Sequence, residues 1–137
     1  MSLVLDTSIT LAWVYSDETT SAVREVLESI LARGAWTPAL WRLEVANVLE
    51  MSVRRGRIPA DFRDATLADL ALLDIHTDCE TDTQAWTATL QLASRHKLPL
   101  YDAAYLELAQ RRSLPLASLD AELRTAAKAE GIALLGL

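Results

Sequence analysis

The feature that most constrains the fold of this chain is the alternation of short apolar runs with helical patterns. The runs are SLVL, AWT, IHT, LPLA and IALL, and stretches with apolar residues at helical spacing lie between them. Runs that are apolar throughout are typical of strands buried on both faces. Strands alternating with helices predict a parallel sheet covered by helices. We therefore expect an α/β fold, a three-layer α/β/α sandwich with a central, mostly parallel sheet.

Caps and helix breakers mark the element boundaries. Thr20 or Ser21 can cap a helix that Gly34 ends, and Gly131 closes the last helix. The segment DTQAWTATLQLASRHK predicts one continuous helix. Because no linker rich in Gly, Ser or Pro interrupts the chain, we expect a single domain over residues 1–137.

Composition limits the class of protein. The 137 residues are 51% hydrophobic and 23% charged, as in ordinary globular proteins. The single cysteine cannot form an intrachain disulfide, and we find neither a leader pattern nor an apolar run of about 18 residues, so we expect a cytoplasmic protein without a membrane span. The net charge of −6 argues against nucleic-acid binding through a basic surface. Cations bound by clustered acids could still provide positive charge for a phosphodiester.

Two aspartates directly follow predicted strands. Asp6 comes after the first apolar run, and Asp120 ends the stretch LPLASLD. In a parallel sheet both carboxylates should emerge at the same edge, where open α/β sheets bind ligands. Each aspartate also precedes a helix, so each could simply be an N-cap. Taken alone, neither aspartate decides between a cap and a ligand.

A third acid lies on the apolar face of a predicted helix. On a helical wheel Glu44 falls among apolar side chains, where a solvated glutamate is not expected. Glutamate is almost never fully buried unless it is paired. Asn47, three residues later on the same side, is a candidate supporting residue. The alternative is that Glu44 sits at the margin of the apolar stripe and reaches water.

A fourth acid, Asp102, lies in LPLYDAAYLELAQ where an apolar run passes into a helix. It too could be a cap, but it completes a set with Asp6, Glu44 and Asp120. Hard cations such as Mg²⁺ and Mn²⁺ prefer oxygen ligands, and two such ions can stabilise a phosphodiester displacement. Two unit charges 4 Å apart repel by about 4 kcal/mol at an effective dielectric of 20. A cluster of these acids should therefore bind metal or hold protons.

Four short motifs together resemble a known family. They are VLDTS around Asp6, LEVANVL around Glu44, LYDAAYLELA around Asp102 and LASLDAEL around Asp120. Their order and spacing resemble those of PIN domains, specifically the VapC-type ribonuclease toxins of bacterial toxin–antitoxin pairs. The resemblance covers essentially the whole chain.

The resemblance implies a metal-dependent endoribonuclease that acts on RNA, is neutralised by a cognate antitoxin and forms a homodimer. It implies Mg²⁺, or Mn²⁺, as cofactor. The catalytic and metal-site residues would be Asp6, Glu44, Asp102 and Asp120. Hydroxyls that support these acids would come from Thr7, Ser8 and Ser118, each of which could instead be a cap or turn residue.

Other functions fit the sequence less well. A catalytically inactive PIN-like module that binds RNA or protein is the main alternative, although all four acids are present. A haloacid dehalogenase-type phosphotransferase would have a second aspartate where this chain has Ser8. A receiver domain would have a lysine after its last strand, and the segment IALLGL has none.

The remaining polar and aromatic signals are weaker. Basic clusters at residues 54–57, 95–97 and 111–112 could guide RNA, or could be solvated helix ends. His76 and His96 lie outside the four motifs and are expected at the surface. The tryptophans are candidates for the core or an interface, and Trp13 could line a groove for an antitoxin segment.

Overall fold

A parallel sheet forms the centre of the molecule in the computed structural model, which describes residues 2–137. Its strands pair in the order β3-β2-β1-β4-β5, and every pair is parallel. The strands are β1 (Val4–Leu5), β2 (Ala35–Thr37), β3 (Ile75–Thr77), β4 (Leu116–Ala117) and β5 (Leu134–Leu135).

Helices flank this sheet. Within residues 2–137 they are α1 (Thr7–Val14), α2 (Ser21–Arg33), α3 (Trp41–Arg54), α4 (Ala60–Ala71), α5 (Thr81–Gln84), α6 (Ala88–His96), α7 (Leu100–Arg112) and α8 (Ala121–Ala129). A short 3-10 helix over Ser16–Glu18 follows α1. The α/β sandwich with a central parallel sheet that the sequence predicts is confirmed.

Register places the first and fourth strands side by side. Val4 pairs with Leu116 and Leu5 pairs with Ala117, so β1 and β4 end together. The amide of Asp6 continues this ladder by donating to the carbonyl of Ala117 at 3.0 Å. As predicted, the residues that follow the two strands therefore emerge at one edge of the sheet.

Helix α7 lies deepest in the fold. Seven consecutive residues, Ala103–Ala109, are buried, and the helix contacts both β1 and β4. A helix that is buried on all sides is expected to carry apolar side chains around its whole circumference. The exceptions within this stretch are Tyr105 and Glu107, which need buried hydrogen-bond partners.

Glu107 of α7 belongs to a buried network of ion pairs. Arg111 donates to Asp78 at 2.6 Å and to Glu107 at 2.9 Å. Asp78 follows β3, and its side chain is fully buried. Burial alone would raise the pKa of Asp78, but Arg111 and Arg112 outweigh burial and hold it below its usual range. The network joins the end of α7 to the loop after β3.

Most predicted helix boundaries are confirmed. The Thr20 hydroxyl accepts from the amide of Val23 at 3.2 Å and caps α2. Gly34 ends α2 at φ 73°, and a Cβ there would lie only 2.8 Å from the Asp74 carboxylate, so the position requires glycine. The single helix predicted over DTQAWTATLQLASRHK is wrong: it divides into α5 and α6. Thr87, whose φ of −120° and ψ of −98° are not helical, lies at the break.

None of the helices within residues 2–137 is both long enough and apolar enough to span a bilayer.

Candidate active site

Asp6 is held at the sheet edge by two serine hydroxyls. Ser8 donates to its Oδ2 at 2.6 Å, and the fully buried Ser118 donates to the same oxygen at 2.7 Å. Asp6 occupies the N-cap position of α1, yet its side chain makes no capping hydrogen bond. The Asp6 carboxylate therefore does not act as a helix cap.

Asp120 does cap its helix. Its Oδ1 accepts from the amide of Leu123 at 3.0 Å at the start of α8. Its own amide donates to the Ser118 hydroxyl at 3.1 Å, which links it to the Asp6 carboxylate through one side chain. One turn into α8, Arg124 donates to the carbonyls of Ser118 and Leu135. Asp120 thus lies in the same hydrogen-bonded unit as Asp6.

Glu44 is half-buried in the first turn of α3, and its partners come from two other helices. Its Oε1 accepts from Thr7 at 3.2 Å and from Tyr105 at 2.5 Å. Glu44 is therefore paired on the apolar face by hydroxyls from α1 and α7. Asn47, the supporting residue predicted from helical spacing, is exposed.

Asp102 lies in the first turn of α7, two residues after the helix begins at Leu100. Pro99 takes the N-cap position, so Asp102 is not the cap considered from the sequence. A negative charge in the first turn interacts favourably with the helix dipole. Its carboxylate is partly exposed, on the helix that also carries Tyr105.

Electrostatics shows that the four acids share one neighbourhood. Burial, followed by the charges of other acids, raises the pKa of Asp102 to about 6, and those acids are Asp120, Asp6, Glu44 and Glu122. Burial also raises the pKa of Asp6 and of Glu44, against the opposing effect of their hydroxyl donors. Asp6, Glu44 and Asp102 therefore hold protons more strongly than free carboxylates do, as expected for clustered acids.

The donor chemistry of this edge fits a hard divalent cation. Every acidic candidate provides carboxylate oxygens, which are the ligands Mg²⁺ and Mn²⁺ prefer. Within residues 2–137, no three acidic, histidine or cysteine side chains converge tightly enough to form a ready-made ion cage. The acids interact through their charges without closing around a point.

The structure adds two residues that the motifs did not single out. Tyr105, which is fully buried, donates to Glu44, and Glu122 adds a fifth negative charge near Asp102. Burial and the neighbouring Glu44 charge raise the pKa of Tyr105 far above its usual range, so the phenol keeps its proton and donates. Its spacing of three residues from Asp102 along one helix was the available signal.

The basic clusters are largely engaged in ion pairs. Arg54 pairs with Glu50, Arg95 pairs with Glu130, and Arg111 belongs to the buried network. His76 has an exposed side chain, as expected. His96 does not match the expectation, because its side chain is only 15% exposed and lies 2.7 Å from Glu130.

Comparison with known proteins identifies the family. The model of the PIN domain matches residues 3–129. The chain belongs to the PIN domain family. Among curated PIN relatives, Ribonuclease VapC3 from Pyrobaculum aerophilum is 33% identical over 128 residues, which cover 90% of this chain and 92% of the relative. The resemblance to VapC-type PIN domains that the four motifs carry is thereby confirmed.

Solved structures agree on the PIN fold. PAE2754 from Pyrobaculum aerophilum superposes with a TM-score of 0.71 at 23% identity, covering 98% of this chain and 83% of that one. FitAcB from Neisseria gonorrhoeae superposes with a TM-score of 0.56 at 18% identity, covering 96% and 95%. At these identities the likeness establishes the fold alone.

Proposed function

We propose that this PIN domain is a metal-dependent endoribonuclease toxin that hydrolyses RNA phosphodiester bonds. The observation that carries the proposal is the hydrogen-bonded acidic edge, where Asp6, Glu44, Asp102 and Asp120 lie in one electrostatic neighbourhood. The 33% identity to a protein named Ribonuclease VapC3 supports the substrate class.

The four acids would hold Mg²⁺ or Mn²⁺ at the sheet edge. The bound cation supplies charge neutralisation at the scissile phosphate and activation of the attacking water. Ser8 and Ser118 orient Asp6, and Thr7 and Tyr105 orient Glu44. Asp120 uses Oδ1 for its helix cap, which leaves Oδ2 as its candidate ligand atom. Binding would include an inward movement of side chains, because no closed cage is preformed among residues 2–137.

Neutralisation by a cognate antitoxin is the second part of the proposal. Its support is the likeness to VapC-type PIN domains along nearly the whole chain. Expression of the chain alone in bacteria should arrest growth, and co-expression of its antitoxin should restore it. Growth arrest that persists in an Asp102→Asn variant would contradict a nuclease origin of the toxicity.

A homodimer is the third part. An apolar groove of about 290 Å³ lies between α3, α5 and α7, and we call it the α3–α7 groove. Its lining includes Leu40, Leu43, Ala85, Leu100, Tyr101 and Ala104. Leu43 is 76% exposed, so most of its side chain is accessible to a partner. An exposed apolar surface of this kind supports a protein interface, here with a second copy of the chain.

Cleavage of mixed RNA by the purified, antitoxin-free protein tests the reaction. We expect cleavage with Mg²⁺ or Mn²⁺, none with EDTA, and a loss of at least 100-fold in Asp6→Asn and Asp102→Asn variants. Asp64→Asn, the same change at a 67% exposed side chain that pairs with Arg63, is the matched control and should cleave normally. Cleavage that survives EDTA would refute the metal mechanism. RNA binding without any cleavage would favour an inactive PIN-like module.

A further inference from the structure

Two carboxylates of the acidic edge are held in the same way. Asp6 receives both of its serine hydroxyls at Oδ2, and Glu44 receives both Thr7 and Tyr105 at Oε1. In each acid one oxygen takes the two hydroxyl hydrogen bonds. The second oxygen, Oδ1 of Asp6 or Oε2 of Glu44, lies outside these pairs.

Glu44 needs such support more than Asp6 does. Glutamate has one more rotatable side-chain bond than aspartate, so fixing its carboxylate costs more conformational entropy. Only 6% of Asp6 is exposed, whereas Glu44 is half-buried. The position of the Glu44 carboxylate therefore depends on its hydroxyl partners.

Tyr105 is the more rigid of these two partners. It is fully buried on α7, among the consecutive buried residues of that helix, and its ring cannot change rotamer without displacing the core. Its hydroxyl also lies 3.0 Å from that of Thr7, the first residue of α1. Through these contacts Tyr105 connects α1, α3 and α7 at a single carboxylate oxygen.

We propose that Tyr105 is a positioning residue that holds the Glu44 carboxylate by Oε1 and leaves Oε2 available to a divalent cation. The inference rests on the proposed metal site. Partners of this kind, which orient a ligand without touching the ion, typically contribute 10–100-fold to metal affinity. Tyr105 acts by fixing the Glu44 carboxylate before the ion binds, which lowers the entropy cost of binding.

The test is Mn²⁺ titration by calorimetry on the full chain in the absence of RNA. Tyr105→Phe keeps the ring and removes only the hydroxyl, and we expect Mn²⁺ affinity to fall about tenfold or more. Tyr15→Phe is the matched control. It removes another buried tyrosine hydroxyl, which lies 2.6 Å from Ser52, and it should leave Mn²⁺ affinity unchanged. Urea unfolding of both variants separates a loss of stability from a loss of affinity.

The outcomes distinguish the inference from the proposed function. Unchanged Mn²⁺ affinity in Tyr105→Phe, together with a large loss in Asp102→Asn, would overturn the role of Tyr105 and keep the metal site. No Mn²⁺ binding by the wild type, or unchanged affinity in Asp102→Asn, would overturn the metal site itself. Thr7→Val, which removes the second donor to Oε1, should weaken Mn²⁺ binding in the same direction. If Tyr105→Phe does not fold, unchanged affinity in Thr7→Val overturns the proposal.

Discussion

The pKa values of Asp6, Glu44 and Asp102 are shifted by different causes, because the hydrogen-bond partners of these acids differ. Asp6 and Glu44 accept from hydroxyls, which lower their pKa values against the effect of burial. Asp102 is affected chiefly by burial and by the charges of its acidic neighbours. Of these three acids, Asp102 is therefore the one whose rise in pKa is offset least by hydrogen bonds.

The pH dependence of stability follows from the pKa of Asp102. This pKa is about 6 in the folded chain against 3.8 for an ordinary aspartate, so the folded state binds more protons between these values. Stability should therefore fall as pH rises from about 3.8 to 6 and carry a constant penalty above pH 6. Because the carboxylate is partly exposed, we expect this penalty to be only about 1 kcal/mol.

Replacing Asp102 by asparagine should remove that penalty. In EDTA at pH 7.5 the melting temperature of Asp102→Asn should exceed that of the wild type by roughly 3 °C, and at pH 4 the two should converge. Thermal unfolding across this pH range measures the difference. A variant less stable than the wild type at pH 7.5 would mean that the Asp102 carboxylate stabilises the fold.

Positions that follow directly from the ends of paired strands could be predicted from the sequence. Asp6 and Asp120 could be placed at one edge because parallel strands end together, whereas the Ser118 hydroxyl was implied only by the family resemblance. The supporting role of Asn47 stays a prediction: the residue is exposed, and the described partners of Glu44 come from other helices, which helical spacing cannot foresee. Tyr105 was missed for the same reason: its contact with Glu44 joins residues 61 positions apart.

The strands are short, and a side-chain hydrogen bond extends the connection between two of them. β1 and β4 have two residues each, and Ser118 continues the connection beyond them through its hydrogen bond to Asp6. The alternation of apolar runs and helical patterns was sufficient to predict this sheet. It could not predict the break between α5 and α6, because an uninterrupted helical pattern does not report a local turn.

The buried network at the end of α7 should contribute strongly to stability. Arg111→Met removes the main partner of two carboxylates whose side chains are 0% and 5% exposed, Asp78 and Glu107. Breaking a buried pair typically costs 3–5 kcal/mol, and we expect about 3 kcal/mol because Arg112 still lies 3.5 Å from Asp78. Urea denaturation measures the change.

The matched control for this prediction is Arg54→Met. Its partner Glu50 and Arg54 itself are exposed, at 36% and 65%, and exposed pairs contribute less than about 1 kcal/mol. Equal effects of the two substitutions would mean that the network around Arg111 does not stabilise the fold more than a surface pair does.

The proposed homodimer depends on the α3–α7 groove. Leu43→Lys places a charge on a side chain that lines the groove and is 76% exposed, so the fold should tolerate it while association should not. Light scattering after size exclusion should change from a dimer to a monomer mass. The same substitution at Leu72, which is 85% exposed at the end of α4 and does not line the groove, should leave the dimer intact. A wild type that is monomeric at every concentration would contradict the homodimer.

The contrast among the tryptophans has an optical consequence. Trp41 is buried and hydrogen-bonded to Thr10, whereas Trp86, which follows the groove residue Ala85, is 87% exposed. Its indole therefore emits from water, at longer wavelength than a buried indole. If the proposed dimer covers Trp86 together with the groove, emission should shift to shorter wavelength as the dimer forms, and Trp86→Phe should abolish the shift. Trp86 would then serve as an intrinsic fluorophore for following the proposed assembly, without any attached dye.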